Sequence, residues 1–303
     1  MSKIAFLFSG QGAQHVGMGR DLYEHSPAAR ALYDAAEICR PGTLALMFKG
    51  DEAALQQTEN TQPCLYLADL GAALALQEAG IVPEAVAGFS LGELAALAFG
   101  GAYDGVTGFR LACQRGLYMA EASQGMNPGM AAIVKLPDET VEALCAKHPG
   151  VYPVNYNCDG QLAVAGELTA LESFYADVRE AGGRSMPLKV SGAFHSPYMD
   201  SAAANFSTYL QDITLQQPAL PVYANCTAEP YSGDVATTLS RQINHPVRWK
   251  TILHKLEAEG FDTFIECGAG SVLRRLTQKN LPDCSAHSVE DMQGVAKLKE
   301  LGL

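Results

Sequence analysis

The chain of 303 residues has no C-x-x-C pair: its eight cysteines, at positions 39, 64, 113, 145, 158, 226, 267 and 284, are scattered. That pattern excludes a zinc knuckle and offers no disulfide framework, so a reducing, cytoplasmic setting is expected. The seven histidines form no H-E-x-x-H or H-x-x-x-H cluster, and no metal site is assigned. Basic residues are few, 21 Lys and Arg against 33 Asp and Glu, for a net charge of −12. A chain this acidic does not neutralise phosphates, which argues against a nucleic-acid partner. Long apolar runs are also missing. The windows 65–76 and 86–99 are interrupted by Asp69 and Glu93, and neither reaches the length of a membrane span. The opening "MSKIAFLFSGQG" is broken at once by Ser9 and Gly10, so it reads as a first strand and not as a secretory segment.

What is present is an apolar content of 48%, enough for one large domain or two smaller ones. The rhythm is β/α. "KIAFLFSG" is a buried strand, "TQPCLYLADLGAALALQEAG" a helix closing at Gly80, "AVAGFS" a short strand and "LGELAALAFGG" a helix. "PVYANC" and "FDTFIECG" supply later strands, and "SVLRRLTQKN" a helix. Between about Gly129 and Val190 the order becomes β-α-β-β-α-β, with Asp159-Gly160 as a hairpin signal and Pro137 as an early helical residue. This reads as a ferredoxin-like unit of residues 128–195 inserted into an α/β core of residues 1–127 and 196–303.

Within "VAGFSLGELAALAFGG", Gly88-Phe89-Ser90-Leu91-Gly92 matches G-x-S-x-G between a strand and a helix. Small residues at both glycine positions let backbones approach closely, and the serine falls at a helix N-terminus, where the Leu91 amide faces an incoming acyl oxygen. "FSGQGAQ" (8–14) resembles a phosphate loop, but His15 stands where a dinucleotide fingerprint has its third glycine. A serine nucleophile also needs a base, an oxyanion site and a group that selects the substrate. "CQRGLYM" (113–119), "SGAFHSPYM" (191–199), "RQINHPVRW" (241–249) and "IECGAGSVL" (265–273) hold candidates.

Together, in this order and spacing, these stretches resemble the malonyl-CoA:acyl carrier protein transacylases over nearly the whole chain. The resemblance implies a hydrolase-like α/β core with an inserted ferredoxin-like subdomain. It implies transfer of a malonyl group from malonyl-CoA to the phosphopantetheine thiol of an acyl carrier protein, by a ping-pong route through a malonyl-serine. Ser90 corresponds to the nucleophile and His195 to the general base, oriented by the backbone carbonyl of Gln242. The Gln11 and Leu91 amides correspond to the oxyanion donors, Arg115 to the partner of the malonyl carboxylate, and Phe194 to a bulky residue that leaves little room for an α-methyl group. No cofactor is implied beyond the two thioester substrates, and a monomer is expected. An acidic carrier would need a local basic face, for which Arg184, Lys189, Arg274, Arg275 and Lys279 are candidates.

Two positions depart from the family pattern: Phe89 where histidine is usual, and Gly268-Ala269-Gly270 where Gly-Pro-Gly is usual. The competing readings are a serine thioesterase with a late base (His245, His254 or His287), an acyltransferase selecting another extender unit, and a non-catalytic carrier-binding scaffold. No HGGG-type oxyanion loop accompanies the thioesterase reading.

Overall fold

The computed structural model describes residues 2–303. Among these residues nine strands form two sheets: β1 Ile4–Phe8, β2 Ala85–Gly88, β3 Pro128–Val134, β4 Tyr152–Cys158, β5 Gln161–Glu167, β6 Arg184–Pro187, β7 Val222–Tyr223, β8 Thr263–Cys267 and β9 Ser285–Val289. The first sheet is parallel, in the order β7-β2-β1-β8-β9. Side chains alternate across a strand, so Phe6 and Phe8 enter one apolar cluster while Ala5 and Leu7 enter the other. Helices Thr58–Glu78, Gly92–Phe99 and Gly105–Ala122 cover the first face; Trp249–Ala258 and Val272–Asn280 cover the second. Strands buried on both faces explain why "IAFLF" and "AVAG" read as unbroken apolar runs.

The second sheet is antiparallel, ordered β4-β5-β3-β6, the ferredoxin-like arrangement. One face, with Ala131, Ile133, Leu162 and Val164, packs on helices Asp138–Lys147 and Leu168–Glu180 around Phe174. From the other face, Met130, Val154, Ala163 and Ala165 join the main cluster of the parallel sheet. The fold is thus mixed α/β with two sheets sharing one interior. Among the described residues, no helix is long and apolar enough to cross a membrane.

Local boundaries differ from the sequence reading in instructive ways. Pro137 adopts φ −60°, ψ 151°, so it is the residue before the helix, which starts at Asp138. The helix expected from Thr61 begins at Thr58 and carries Pro63 inside it. β7 is only two residues long, because Asn225 leaves the strand to serve the site described next.

Candidate active site

The parallel sheet places its loops at the C-terminal ends of β1, β2 and β8. Strand order reverses about β1, and such a switch point opens a crevice for ligands. Ser90 follows β2 by two residues and adopts φ 55°, a left-handed conformation that costs a non-glycine residue on the order of 1–3 kcal/mol. The turn is possible because neither glycine has a side chain. A Cβ on Gly88 would lie 1.9 Å from the Gly92 carbonyl carbon, and one on Gly92 would lie 2.2 Å from the Phe8 oxygen. Asn225 clamps the same turn, accepting from the Ser90 amide at 2.7 Å and donating to the Gly88 carbonyl at 2.6 Å.

His195 reaches Ser90 from 105 residues away, with Nε2 2.7 Å from Oγ. Its other ring nitrogen, Nδ1, lies 2.9 Å from the Gln242 carbonyl. A carbonyl can only accept, so Nδ1 carries the proton and Nε2 is left with its lone pair toward the serine hydroxyl. Burial, and secondarily the Arg115 cation, lower the imidazole pKa to about 4, so the ring is neutral at neutral pH. His245, His254 and His287 make no bond to Ser90: His245 bonds the Arg241 carbonyl, His254 is exposed beside Glu257, and His287 lies on β9.

Arg115 sits on helix Gly105–Ala122 at 1% exposure. Its Nη1 donates to Gln62 Oε1 at 2.7 Å, and its Nη2 donates to Gln242 Oε1 at 2.7 Å and to Ser90 Oγ at 3.2 Å. Its Nε is buried with no partner among the described residues. Burial lowers the guanidinium pKa to about 10, which still leaves it charged at neutral pH. The cation therefore touches the nucleophile and retains a free donor in a dry site, an arrangement suited to a planar anion.

Gln11 and Leu91 lie on the loops after β1 and β2, which touch: the Phe89 amide donates to the Phe8 carbonyl at 2.9 Å. Neither the Gln11 nor the Leu91 amide has a partner among the described residues. Phe194 is buried in the main cluster, its ring against the space left by the absent side chain of Gly192. Phe89 is half-buried and meets Trp249 edge-on at 5.4 Å, a contact worth about 0.5–1.5 kcal/mol. Beside it a cavity of about 230 Å³ runs between the two sheets, with Gln11, Phe89, Asn155, Asn157, Leu188 and Leu276 among its walls. Asn155 and Asn157 each leave a buried Oδ1 without a partner among the described residues. Lys189, next to the lining residue Leu188, and Arg184, at the start of β6, are exposed, as are Arg275 and Lys279 on helix Val272–Asn280, which supplies Val272, Leu273 and Leu276 to the cavity; Arg274 is only partly exposed.

Sequence reasoning missed Gln62, Asn225, Tyr231 and above all Glu93. Glu93 is fully buried; its Oε2 accepts from the Asn225 amide at 3.0 Å and from Gln242 Nε2 at 3.2 Å, and its Oε1 accepts from the Tyr231 hydroxyl. The one available signal was a carboxylate inside the apolar helix "GELAALAF".

Residues 5–300 match the family model described as an acyl transferase domain. A malonyl CoA-acyl carrier protein transacylase of Bacillus subtilis is 38% identical over 287 residues, covering 92% of this chain and 90% of its own. The chain belongs to the malonyl CoA-acyl carrier protein transacylase family. This acyltransferase is also similar to the solved structure of a Clostridium perfringens malonyl CoA-acyl carrier protein transacylase, with TM-score 0.95 at 32% identity, covering 99% of this chain and 98% of that one. A malonyl-transacylase solved in complex with its type II PKS acyl-carrier protein gives TM-score 0.95 at 32% identity, covering 99% and 100%.

Proposed function

We propose that this acyltransferase moves a malonyl group from malonyl-CoA to the phosphopantetheine thiol of an acyl carrier protein, through an ester on Ser90. In the first half, Ser90 Oγ attacks the thioester carbonyl while His195 Nε2 takes its proton. The Gln11 and Leu91 amides, free of other partners, receive the tetrahedral oxyanion. Collapse expels the CoA sulfur, which leaves as the thiol with the proton held by His195. In the second half the carrier's thiol gives its proton to the same nitrogen and attacks the ester carbonyl, restoring Ser90. Both thioesters are substrates, and the scheme uses no further cofactor.

The observation that carries the choice of acyl group is Arg115: a buried cation 3.2 Å from the nucleophile, with Nε unpaired. A carboxylate fills that donor; an acetyl methyl leaves it empty, and a site built to bond a polar group discriminates strongly against a ligand lacking it. Phe194 would crowd an α-methyl branch. The amide-bearing pantetheine arm would lie in the cavity beside Phe89, where the free oxygens of Asn155 and Asn157 await donors. The basic residues flanking the opening would meet an acidic carrier. The test is to supply malonyl-CoA with and without a phosphopantetheinylated carrier protein. Malonyl-carrier should form, with little CoA released when the carrier is omitted; steady hydrolysis without transfer would refute the proposal.

A further inference from the structure

Glu93 has no task in the acyl-transfer steps, yet its carboxylate is bonded into the same network as the nucleophile and the arginine. Through Oε2 it holds Gln242 Nε2, and the same Gln242 side chain accepts from Arg115 by Oε1 while Nε2 also reaches the Ser90 carbonyl. Through the Asn225 backbone it supports the residue that clamps the Ser90 turn. Arg115, for its part, makes no ion pair among the described residues: its three acceptors, on Gln62, Gln242 and Ser90, are neutral. The titratable groups facing the pair are Tyr103, Cys226, Tyr231 and His195. Burial holds both phenols far above their usual range, the thiol at about 11 and the imidazole at about 4, so all four are neutral at neutral pH. One cation and one carboxylate remain, joined through a single glutamine.

Resting on the acyl-transfer reading, we propose that Glu93 is the resident counter-ion of Arg115, and that entry of the malonyl carboxylate is balanced by uptake of one proton from solvent onto Glu93. Without that proton, one buried cation would stand among two anions, an arrangement a dry site resists. The hydrogen bonds suit both states of the carboxyl group. When Glu93 is ionised, Tyr231 donates to Oε1; when Oε1 is protonated, the phenol oxygen turns to accept, and Oε2 keeps its two N–H donors. Burial already lifts this carboxyl to about 7, with Tyr231, Asn225, Gln242 and Arg115 opposing the rise, so a nearby second anion suffices to protonate it near neutrality. The proton is separate from the catalytic one: the Ser90 hydrogen leaves on the CoA thiol, and the additional one comes from water. Glu93 is a positioning and charge-balancing group and does not touch the acyl chain.

Single-turnover acylation by malonyl-CoA in weakly buffered solution at pH 7.5, followed with a pH indicator, tests the inference. The wild type should take up roughly half a proton or more per malonyl-Ser90 formed. Glu93→Gln, which mimics the protonated side chain and releases the same thiol, should take up none and show only the small proton release from the thiol's own ionisation. Its KM for malonyl-CoA should be flat between pH 6 and 8, where the wild-type value rises with pH. Tyr231→Phe, a milder change, removes a bond that holds the Glu93 pKa down, so more of the free enzyme starts protonated and uptake should shrink. Malonyl-Ser90 formed with equal uptake in wild type and Glu93→Gln, or unchanged uptake in Tyr231→Phe, would overturn this inference alone. Failure of the wild type to form malonyl-Ser90 at all would overturn the acyl-transfer reading and this inference with it.

Discussion

Around Ser90, the side-chain polar atoms of His195, Gln62, Gln242, Asn225 and Glu93 all have partners, and only Arg115 Nε is left over. In the cavity between the sheets, a few residues away, Asn155 and Asn157 both leave amide oxygens unpaired, and the walls are otherwise largely apolar. The acyl end is therefore built in advance, with one donor reserved for one group. The outer cavity is left unfinished, its polar atoms waiting for a partner that arrives and leaves. Chemistry that must stabilise a short-lived anion gains from fixed dipoles, whereas a channel used by two different thioesters gains from contacts that are easily exchanged.

Substitutions should divide along that line. Ser90→Ala has the largest effect: no malonyl-enzyme should be visible by intact mass. His195→Ala should slow acylation by about 100- to 10,000-fold, the usual worth of a positioned base. Because burial keeps the His195 pKa near 4, the rate loss due to its own protonation should appear near pH 4 and not near 6.5; the group is the active base above its pKa and is lost as pH falls through it. Arg115→Ala should reduce malonyl acylation by about 100-fold, the worth of the one charge-assisted hydrogen bond its free Nε offers, while acetyl acylation changes by less than about tenfold. Equal losses for both would remove its selective role. Asn157→Ala sits at the small end: it should raise KM for malonyl-CoA by about two- to tenfold and leave the melting temperature unchanged, since the atom removed has no partner in the free protein. A large drop in stability would instead make the cavity as fixed as the acyl end.

The same contrast explains what the sequence disclosed. The elbow was legible because its determinants are local: Gly88 and Gly92 are two residues either side of Ser90, and their lack of a Cβ is what lets the turn close. The alternation of Phe6 and Phe8 with Ala5 and Leu7 sits in five residues, so the two-faced sheet was legible too. His195, Gln242 and Arg115 could be named through their motif contexts, but nothing local says that a glutamine 152 residues from Ser90 ties it to Glu93 and Arg115. Asn225 was read as part of a strand, because leaving a strand early to clamp a distant turn has no periodic signature. Phe89, unexpected beside the nucleophile, acquires a physical account from its edge contact with Trp249 and its place on the cavity wall.

Competition for the nucleophile decides whether Arg115 selects the acyl group that Ser90 accepts. The protein is exposed briefly to equal concentrations of malonyl-CoA and acetyl-CoA, and the adduct is located by peptide mapping. Malonyl should appear on Ser90 in large excess over acetyl, with that excess lost in Arg115→Ala. Acetyl in comparable amount on the wild type, or an adduct on any residue other than Ser90, would contradict it.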